Sequence, residues 1–154
     1  MKLSLRHATE NDSQRISDIL IDSRRVFMPY APLAHTEKEV GVWVSKILIP
    51  TSKVTVATLE NKVIGIVAVT EEENITWIEQ MYVDPKYVNK GIGTFMLNTV
   101  IQSMSNPIRL FTFQENSGAR RLYERHGFKA IEFSNGEHNE ESCPDVLYEL
   151  QVQS

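Results

Sequence analysis

The sequence predicts a single α/β (α+β) domain built on a mixed, mostly antiparallel sheet of about seven strands, with about four helices covering its two faces. Segments with strand character alternate with segments of helical spacing along the chain, and three consecutive strands have connections short enough to require antiparallel pairing. The length of 154 residues, with 42% hydrophobic residues, is sufficient for one packed core.

The N-terminal third predicts a strand followed by two helices. Residues 2–7 read as a short strand, and apolar residues then recur at helical spacing. Pro29 and Pro32 prevent this helix from continuing, and Thr36 followed by Glu39 forms a capping box that begins a second helix. The two helices therefore flank a loop that carries aromatic residues.

The middle of the chain predicts a meander of three strands. Their sequences are KVTVATL, VIGIVAVT and ITWIEQMYV, and turn-prone residues separate them at 60–62 and 71–74. Short connections of this kind join antiparallel neighbours.

The last third predicts two helices and three strands. A helix runs from Gly91 to about Met104, IRLFTF is a buried strand, and SGARRLYERHG is a helix that ends at Gly127. Two strands joined by a polar loop complete the order β-α-α-β-β-β-α-β-α-β-β. The helix that begins at Gly91 then forms a parallel crossover.

Composition and charge exclude several classes of protein. The net charge of −4 and the pI near 5.6 argue against a general electrostatic grip on nucleic acid. No apolar run of about 18 residues and no signal-peptide pattern occurs, so we expect a cytoplasmic protein without a membrane partner. The single cysteine, Cys143, and four scattered histidines show no metal-ligand spacing, so no metal is expected.

The stretch VDPKYVNKGIGTFML predicts an anion site at a helix start. The backbone N–H groups of residues 89–94 point out of the helix and carry the positive end of its dipole. Gly91 and Gly93 allow a phosphate to approach the backbone, while Lys90 adds charge and Thr94 a hydroxyl. The alternative is a tight turn into a helix with no ligand, because short glycine motifs are weak evidence alone.

Two motifs together resemble the GNAT superfamily of acetyl-coenzyme A dependent N-acetyltransferases. They are MYVDPKYVNKGIGTFML and NSGARRLYERHGF. In that family the first motif, [QR]-x-x-G-x-[GA], wraps the pyrophosphate of coenzyme A; the second has an Asn followed seven residues later by a Tyr, in a helix that ends Gly-Phe. Here these residues are Gly91 and Gly93, then Asn116, Tyr123, Gly127 and Phe128. The resemblance covers most of the chain, because the element order is also that of the family's fold.

One residue departs from the family pattern. The leading Gln or Arg is replaced by Val88. Backbone amides supply most of the grip on a pyrophosphate, so we expect some weakening at most, with Asn89 or Lys90 compensating.

The resemblance implies acetyl-coenzyme A as cosubstrate and a set of residues that bind it. The backbone of residues 81–83 would pair with the pantetheine arm as an added strand does, with one amide as oxyanion donor. The implied cofactor-binding residues are Met81, Tyr82, Val83, Val88, Asn89, Lys90, Gly91, Ile92, Gly93, Thr94, Asn116 and Tyr123.

Two residues are the candidates for proton transfer. Strand alternation predicts that Glu79 shares a face with Trp77, Met81 and Val83, and such apolar neighbours would suit it to general-base work, directly or through water. The resemblance supports this role, because an acidic residue near this place in the fourth strand often serves as base. The alternative is a Glu that pairs with a cation or points to solvent.

Tyr123 lies two helical turns after Asn116 and on the same face. By resemblance, the Tyr123 phenol donates its proton to the coenzyme A thiolate and Asn116 hydrogen-bonds the pantetheine arm. The alternatives are a core aromatic residue and a plain helix N-cap.

The acceptor is the least defined part of the prediction. Phe27 and Tyr30, on the proline-broken segment, and Glu79 are the candidate substrate contacts. The loop NGEHNEESCPD carries acidic residues that would attract a cationic amine or simply be solvated surface. Antibiotics, polyamines, amino acids and protein amines all remain open.

The sequence therefore predicts an N-acetyltransferase that acts on a primary amine of a small molecule or peptide. The amine would attack directly in a ternary complex, since Cys143 lies in no motif that would make it an acyl carrier. The alternative is a catalytically silent acetyl-coenzyme A sensor or partner-binding module. A homodimer is possible, but the sequence does not fix the oligomeric state.

Overall fold

The computed structural model describes residues 2–151, which contain seven strands and four helices in the predicted order. The strands are β1 (Leu3–His7), β2 (Lys53–Leu59), β3 (Lys62–Glu72), β4 (Ile75–Val83), β5 (Ile108–Phe113), β6 (Lys129–Ser134) and β7 (Asp145–Leu150). The helices are α1 (Ser13–Phe27), α2 (Glu37–Trp43), α3 (Ile92–Ser103) and α4 (Ser117–Arg125). Short 3₁₀ turns precede α1 and α3, and α2 continues through a π-helical turn, Val44–Leu48, to Thr51.

All seven strands form one mixed sheet in the order β1-β2-β3-β4-β5-β7-β6. The pairs among β1, β2, β3 and β4 are antiparallel, as the meander predicted. β4 and β5 are parallel, which confirms the crossover through α3. β7 pairs antiparallel with both β5 and β6.

β4 and β5 separate soon after they meet. Their pairing within residues 2–151 is limited to Thr76 with Ile108 and Trp77 with Arg109. The β3–β4 register shifts just beyond this point, which leaves Glu79 as the unpaired residue of a β-bulge. A bulge bends its strand and increases the local twist, so it directs β4 away from β5. The sheet therefore opens between these two strands.

Two apolar clusters, one on each face, hold the layers together. α1 and α2 pack on one face through residues that include Ile16, Ile19, Val44, Val56 and Ile66. α3 and α4 pack on the other face through residues that include Ile92, Met96, Leu97, Tyr123 and Tyr148. The open space between β4 and β5 lies between these two helical layers.

The predicted capping box begins α2. The Thr36 backbone N–H donates to the Glu39 carboxylate over 2.8 Å, and the Glu39 N–H donates to the Thr36 hydroxyl over 3.1 Å. α1 ends at Phe27, before Pro29, as the prolines predicted. No helix among residues 2–151 is long and apolar enough to cross a membrane.

Candidate active site

A cleft of about 840 Å³ opens where β4 and β5 part. α1, β4, β5, α4, the start of α3 and the β6–β7 connection contribute to its wall. Every predicted cofactor-binding residue except Lys90 lies on that wall: Met81, Tyr82, Val83, Val88, Asn89, Gly91, Ile92, Gly93, Thr94, Asn116 and Tyr123. The fold therefore brings the two sequence motifs to one place.

The segment before α3 presents its backbone N–H groups to this cleft. Asn89 and Gly91 have positive φ angles of 63° and 81°, and Gly91 is the N-cap of the helix. The amides of residues 88–94 have no hydrogen-bond acceptor among the described residues, and the first such amide with one is that of Phe95, which donates to the Gly91 carbonyl over 2.9 Å. Free amides at the positive end of a helix dipole form an anion site that suits a pyrophosphate.

Asp84 positions this segment, and the sequence analysis did not single it out. Its carboxylate accepts from the Lys86 amide over 3.0 Å and from the Arg15 guanidinium. Arg15 also donates to the Val63 carbonyl over 2.8 Å, so α1, β3 and the turn before α3 are tied together. The sequence signal was available: an Asp before a Pro is a common N-cap, here of the turn Pro85–Tyr87.

Replacing Asp84 with Asn should destabilise the protein by about 1.5–3 kcal/mol at neutral pH, the contribution of a hydrogen bond to a charged group. Burial alone would raise the pKa of Asp84, but the Lys86 amide and Arg15 lower it below its usual value. A lowered folded-state pKa stabilises the fold above the unfolded pKa, and this stabilisation disappears as the pH falls through the folded-state pKa. Urea denaturation should therefore separate wild type from variant more widely at pH 7 than at pH 3.

The control for this prediction is Asp22→Asn, which changes an exposed carboxylate on α1. Its effect should stay within about 0.5 kcal/mol at both pH values. An Asp84→Asn deficit that persists undiminished at pH 3 would contradict the assignment to ionisation.

Replacing Gly91 with Ala should weaken acetyl-coenzyme A binding and destabilise the fold by about 1–2 kcal/mol, because an L-residue is strained at this positive φ. No protein atom lies within 4 Å of an added Cβ, so the methyl group would enter space in the cleft rather than clash with the fold. Calorimetric titration and thermal denaturation measure the two effects. Gly41→Ala is the control, since Gly41 lies within α2, away from the cleft, where Ala favours the helix.

Tyr123 is buried, but its hydroxyl remains open to the cleft. The side chain is 6% exposed, and its ring packs against Phe128 and Tyr148 at centroid distances of 5.7 and 6.1 Å. The hydroxyl has no hydrogen-bond partner within residues 2–151 and is not a fully buried atom. Burial, with a smaller contribution from Tyr82, raises the pKa of Tyr123. The phenol is therefore a protonated donor directed at the cleft.

Asn116 caps α4. Its side-chain oxygen accepts from the Ala119 amide over 3.2 Å, so the N-cap interpretation of this residue applies. Asn116 also lies on the cleft wall, and its amide nitrogen has no acceptor among the described side chains and backbone. Capping and ligand binding are therefore compatible here.

The predicted surroundings of Glu79 are wrong. The β-bulge breaks the strand alternation, and Met81 and Val83 pack with Ile78 against the α3–α4 cluster. Glu79 is exposed on the cleft wall, where its carboxylate accepts from the Thr70 hydroxyl over 2.7 Å. It therefore has a polar, solvated setting instead of an apolar one.

The predicted acceptor residues divide into two groups. Phe27 lines the cleft, together with Phe111 and Phe113 of β5. Tyr30 does not line it, because its ring packs edge to face behind Phe113 at 6.2 Å. The Tyr30 hydroxyl is buried without a partner among the described residues, and burial is the main cause that raises its pKa to about 12. Lys90 likewise does not line the cleft.

Arg24 lines the cleft and was missed, whereas its partner Glu141 belongs to the acidic loop that the sequence offered as an attractor for a cationic amine. Arg24 Nη2 donates to the Ala31 carbonyl over 2.8 Å and to the Glu141 carboxylate over 3.0 Å. A signal existed for Arg24, because it continues the buried stripe of Ile16 and Leu20 at a spacing of four residues. Part of the acidic loop thus reaches the cleft: Glu141 and Asp145 are on its wall. No group of three or more metal-binding side chains occurs within residues 2–151.

The helix start can bind a phosphate group, and the space between β4 and β5 can accept an extended chain. This combination suits a transferase that binds coenzyme A, which has a pyrophosphate and an extended pantetheine arm. The sequence model described as the Acetyltransferase (GNAT) family matches residues 18–128, and the chain belongs to this family. The protein is an acyltransferase that uses acetyl-coenzyme A as acetyl donor.

Curated relatives agree with this class. The chain is 26% identical over 145 residues to a spermine/spermidine N(1)-acetyltransferase of Bacillus subtilis (strain 168), covering 84% of this chain and 89% of the relative. It is 39% identical over 88 residues to an N-acetylaspartate synthetase of Xenopus tropicalis, covering 53% of this chain and 32% of the relative.

Solved structures confirm the fold. An N-acetyltransferase from Staphylococcus aureus Mu50 superimposes with a TM-score of 0.78 at 18% identity, covering 99% of this chain and 100% of the other. The PaiA N-acetyltransferase from Thermoplasma acidophilum, solved in complex with coenzyme A, has a TM-score of 0.76 at 17% identity, covering 97% and 98% of the two chains.

Proposed function

We propose that the protein transfers acetyl from acetyl-coenzyme A to a primary amine of a small molecule or peptide, by direct attack in a ternary complex. The observation that carries this proposal is the convergence on one cleft of the free amides before α3, the Tyr123 hydroxyl and the Glu79 carboxylate. The amides would hold the pyrophosphate, and the acceptor would enter from the side of Glu79.

The edge of β4 that faces β5 would position the thioester. Beyond Trp77 this edge has no strand partner within the described residues, while the opposite edge is paired with β3. The pantetheine arm can pair with this edge as an added strand, along Met81, Tyr82 and Val83. A backbone N–H on the same edge would then donate to the oxyanion that develops at the thioester carbonyl.

Glu79 would take the amine proton, directly or through one water. An amine that arrives as an ammonium ion first loses one proton to water; the neutral nitrogen then forms a bond to the thioester carbon, the carbon–sulfur bond breaks, and the second proton lost by nitrogen reaches the carboxylate. Thr70 holds one carboxylate oxygen in place and leaves the other for this task. The exposure of Glu79 is compatible with a relay through water.

Tyr123 would stabilise the departing sulfur. Its pKa is raised, whereas a free thiol has a pKa of about 8.5, so complete proton transfer to the thiolate is unfavourable in isolation. A hydrogen bond from the phenol to the developing negative charge has no such penalty. The proton taken up at Glu79 then restores the neutral thiol overall.

The acceptor side favours an amine that is cationic in solution. Glu79, Glu141 and Asp145 line the cleft; Arg24 is paired with Glu141, and the other two cations on the wall, Arg121 and Arg125, lie on α4. The named relatives do not choose the acceptor, because one is named for polyamines and another for N-acetylaspartate. The proposal is therefore kept at the level of a primary amine.

Release of free coenzyme A thiol, measured against a panel of primary amines and peptides, tests the proposed function. Release that requires an amine, with a mass increase of one acetyl group on that amine, is the expected result. A protein that binds acetyl-coenzyme A but acetylates no member of the panel would count against it and favour the sensor alternative.

We also propose a homodimer that forms along β6. This strand is the edge of the sheet, and its Ile131 and Phe133 are exposed. Light scattering after size-exclusion chromatography should give twice the monomer mass, and a Phe133→Lys variant should shift it towards the monomer.

A further inference from the structure

Arg24 is a buried cation that the proposed mechanism leaves without a task. It projects from α1 and is 8% exposed. Its guanidinium carbon lies 5.4 Å from the centre of the Phe113 ring, and Nη2 is hydrogen-bonded to Ala31 and Glu141. These contacts fix the position of the guanidinium in the unliganded protein.

Part of the donor capacity of this guanidinium is unused. Nη2 makes both hydrogen bonds, whereas Nε is fully buried and has no partner among residues 2–151. Nη1 makes no close hydrogen bond among them and is not fully buried, and the Tyr82 hydroxyl lies beside the guanidinium as a weaker acceptor. Buried donors in folded proteins are nearly always paired, so an unpartnered guanidinium nitrogen indicates a missing acceptor.

The accessible end of Arg24 faces the cleft. Its guanidinium neighbours Glu141, Phe113 and Tyr82 all lie on the cleft wall. Burial alone would lower the pKa of Arg24, but Tyr82 and Glu141 raise it, so the side chain remains charged. The Arg24 guanidinium is therefore a fixed, charged hydrogen-bond donor that can contact an acceptor molecule bound in the cleft.

A purely structural role explains only part of this arrangement. Ala31 and Glu141 account for Nη2, and a Lys could bridge the same two groups with its ammonium. They do not account for a planar guanidinium with Nε and Nη1 left without a close partner, since Arg is the residue suited to binding planar oxygen groups through several donors.

We propose that Arg24 binds an oxygen of the acceptor, a carboxylate or carbonyl near the reacting amine. Arg24 would thereby select amino acids, their amides or peptides over simple amines and polyamines. This inference rests on the proposed function, in which Glu79 accepts the proton of the amine; Arg24 would donate a hydrogen bond to the oxygen of the acceptor. Glu141 already balances the charge of Arg24, so a neutral carbonyl is as acceptable as a carboxylate.

Two matched series of acceptors test the inference. The first is leucine, leucinamide and 3-methylbutylamine; the second is lysine, lysinamide and cadaverine; spermidine is added as a polyamine. In each series the last compound lacks the oxygen group and keeps the same side chain. We expect wild-type kcat/KM to be about tenfold or more higher for the oxygen-bearing members, the effect of one hydrogen bond to a charged group.

The variants Arg24→Gln and Arg24→Lys identify the residue responsible. Arg24→Gln should lower kcat/KM for the oxygen-bearing acceptors by about 10- to 100-fold and for 3-methylbutylamine or cadaverine by less than about threefold. Arg24→Lys should recover part of the loss with the free acids, because it keeps the charge. Arg25→Gln is the matched control, since Arg25 is exposed and pairs with Glu37 on the surface.

Three results would overturn the inference. The first is a wild-type kcat/KM that is equal for all members of each series, and the second is a wild-type kcat/KM that is highest for spermidine. The third is an Arg24→Gln variant whose kcat/KM falls equally for all acceptors, because such a fall indicates a structural role. If Arg24→Gln fails to fold, the wild-type series and Arg24→Lys decide the question. If no acceptor is acetylated, the proposed function fails, but the binding preference of Arg24 can still be tested. Calorimetric titration of leucinamide and of 3-methylbutylamine into the coenzyme A complex then compares their affinities.

Discussion

Replacing Tyr123 with Phe should lower kcat by about 100-fold or more and leave acetyl-coenzyme A affinity within about twofold of wild type. The ring fills its place between Phe128 and Tyr148 in either case, so packing and the shape of the cleft are preserved. Only the hydroxyl that faces the cleft is lost. Steady-state release of thiol and calorimetric titration of acetyl-coenzyme A measure the two quantities.

Tyr148→Phe is the matched control for this prediction. The Tyr148 hydroxyl donates to Glu124 over 2.5 Å and accepts from Arg120 over 2.9 Å, and the side chain does not line the cleft. Its loss should reduce stability without a comparable loss of rate. Equal rates for wild type and Tyr123→Phe, under conditions where chemistry limits turnover, would show that the phenol has no part in the reaction.

The pH dependence gives a second check on Tyr123. Burial raises the pKa of this phenol above its usual value of about 10, so it stays protonated throughout the neutral and mildly alkaline range. The rate should therefore show no fall due to Tyr123 up to about pH 9. A fall in this range that is present in wild type and absent from Tyr123→Phe would contradict the assignment.

The order of elements could be predicted from the sequence because each boundary has a local cause. The sequences KVTVATL, ITWIEQMYV and IRLFTF coincide with β2, β4 and β5, since turn residues or helix signals bound each of them. The Thr36–Glu39 capping box and the Gly91 N-cap gave the starts of two helices. Local chemistry of this kind needs no knowledge of the partners across the sheet.

The environment of Glu79 could not be predicted, because a β-bulge is a property of two paired strands. Strand geometry applied to ITWIEQMYV places Glu79 on one face with Trp77, Met81 and Val83, and the extra residue appears only when β4 is aligned with β3. The same shift that exposes Glu79 on the cleft wall also separates it from Met81 and Val83. The β-bulge at Glu79, which the sequence pattern does not predict, is thus the feature that separates β4 from β5 and opens the cleft.

The acceptor side was hard to predict for a related reason. Arg24 and Glu141 are separated by 117 residues and meet only through the packing of α1 against the β6–β7 connection. Tyr30 lies on the predicted loop, but the turn after α1 places its ring behind Phe113. Nothing in the local sequence distinguishes a side chain in the cleft wall from one directly behind it.

Replacing Glu79 with Gln should lower kcat by about 100-fold or more with little change in acetyl-coenzyme A affinity. Gln keeps the size of the side chain and can still accept from the Thr70 hydroxyl, but it cannot take a proton from the amine. Thiol release in an assay limited by chemistry and calorimetric titration of acetyl-coenzyme A measure the two quantities.

Three further variants decide whether Glu79 itself is the base. Thr70→Val removes the hydrogen bond that holds the carboxylate and should lower kcat several-fold. Glu71→Gln is the control, because Glu71 is exposed on the neighbouring strand and does not line the cleft. Glu141→Gln tests a second carboxylate of the cleft wall. If Glu141→Gln abolished the rate while Glu79→Gln did not, the base would lie on the β6–β7 connection. Glu79 would then act only by attracting the amine.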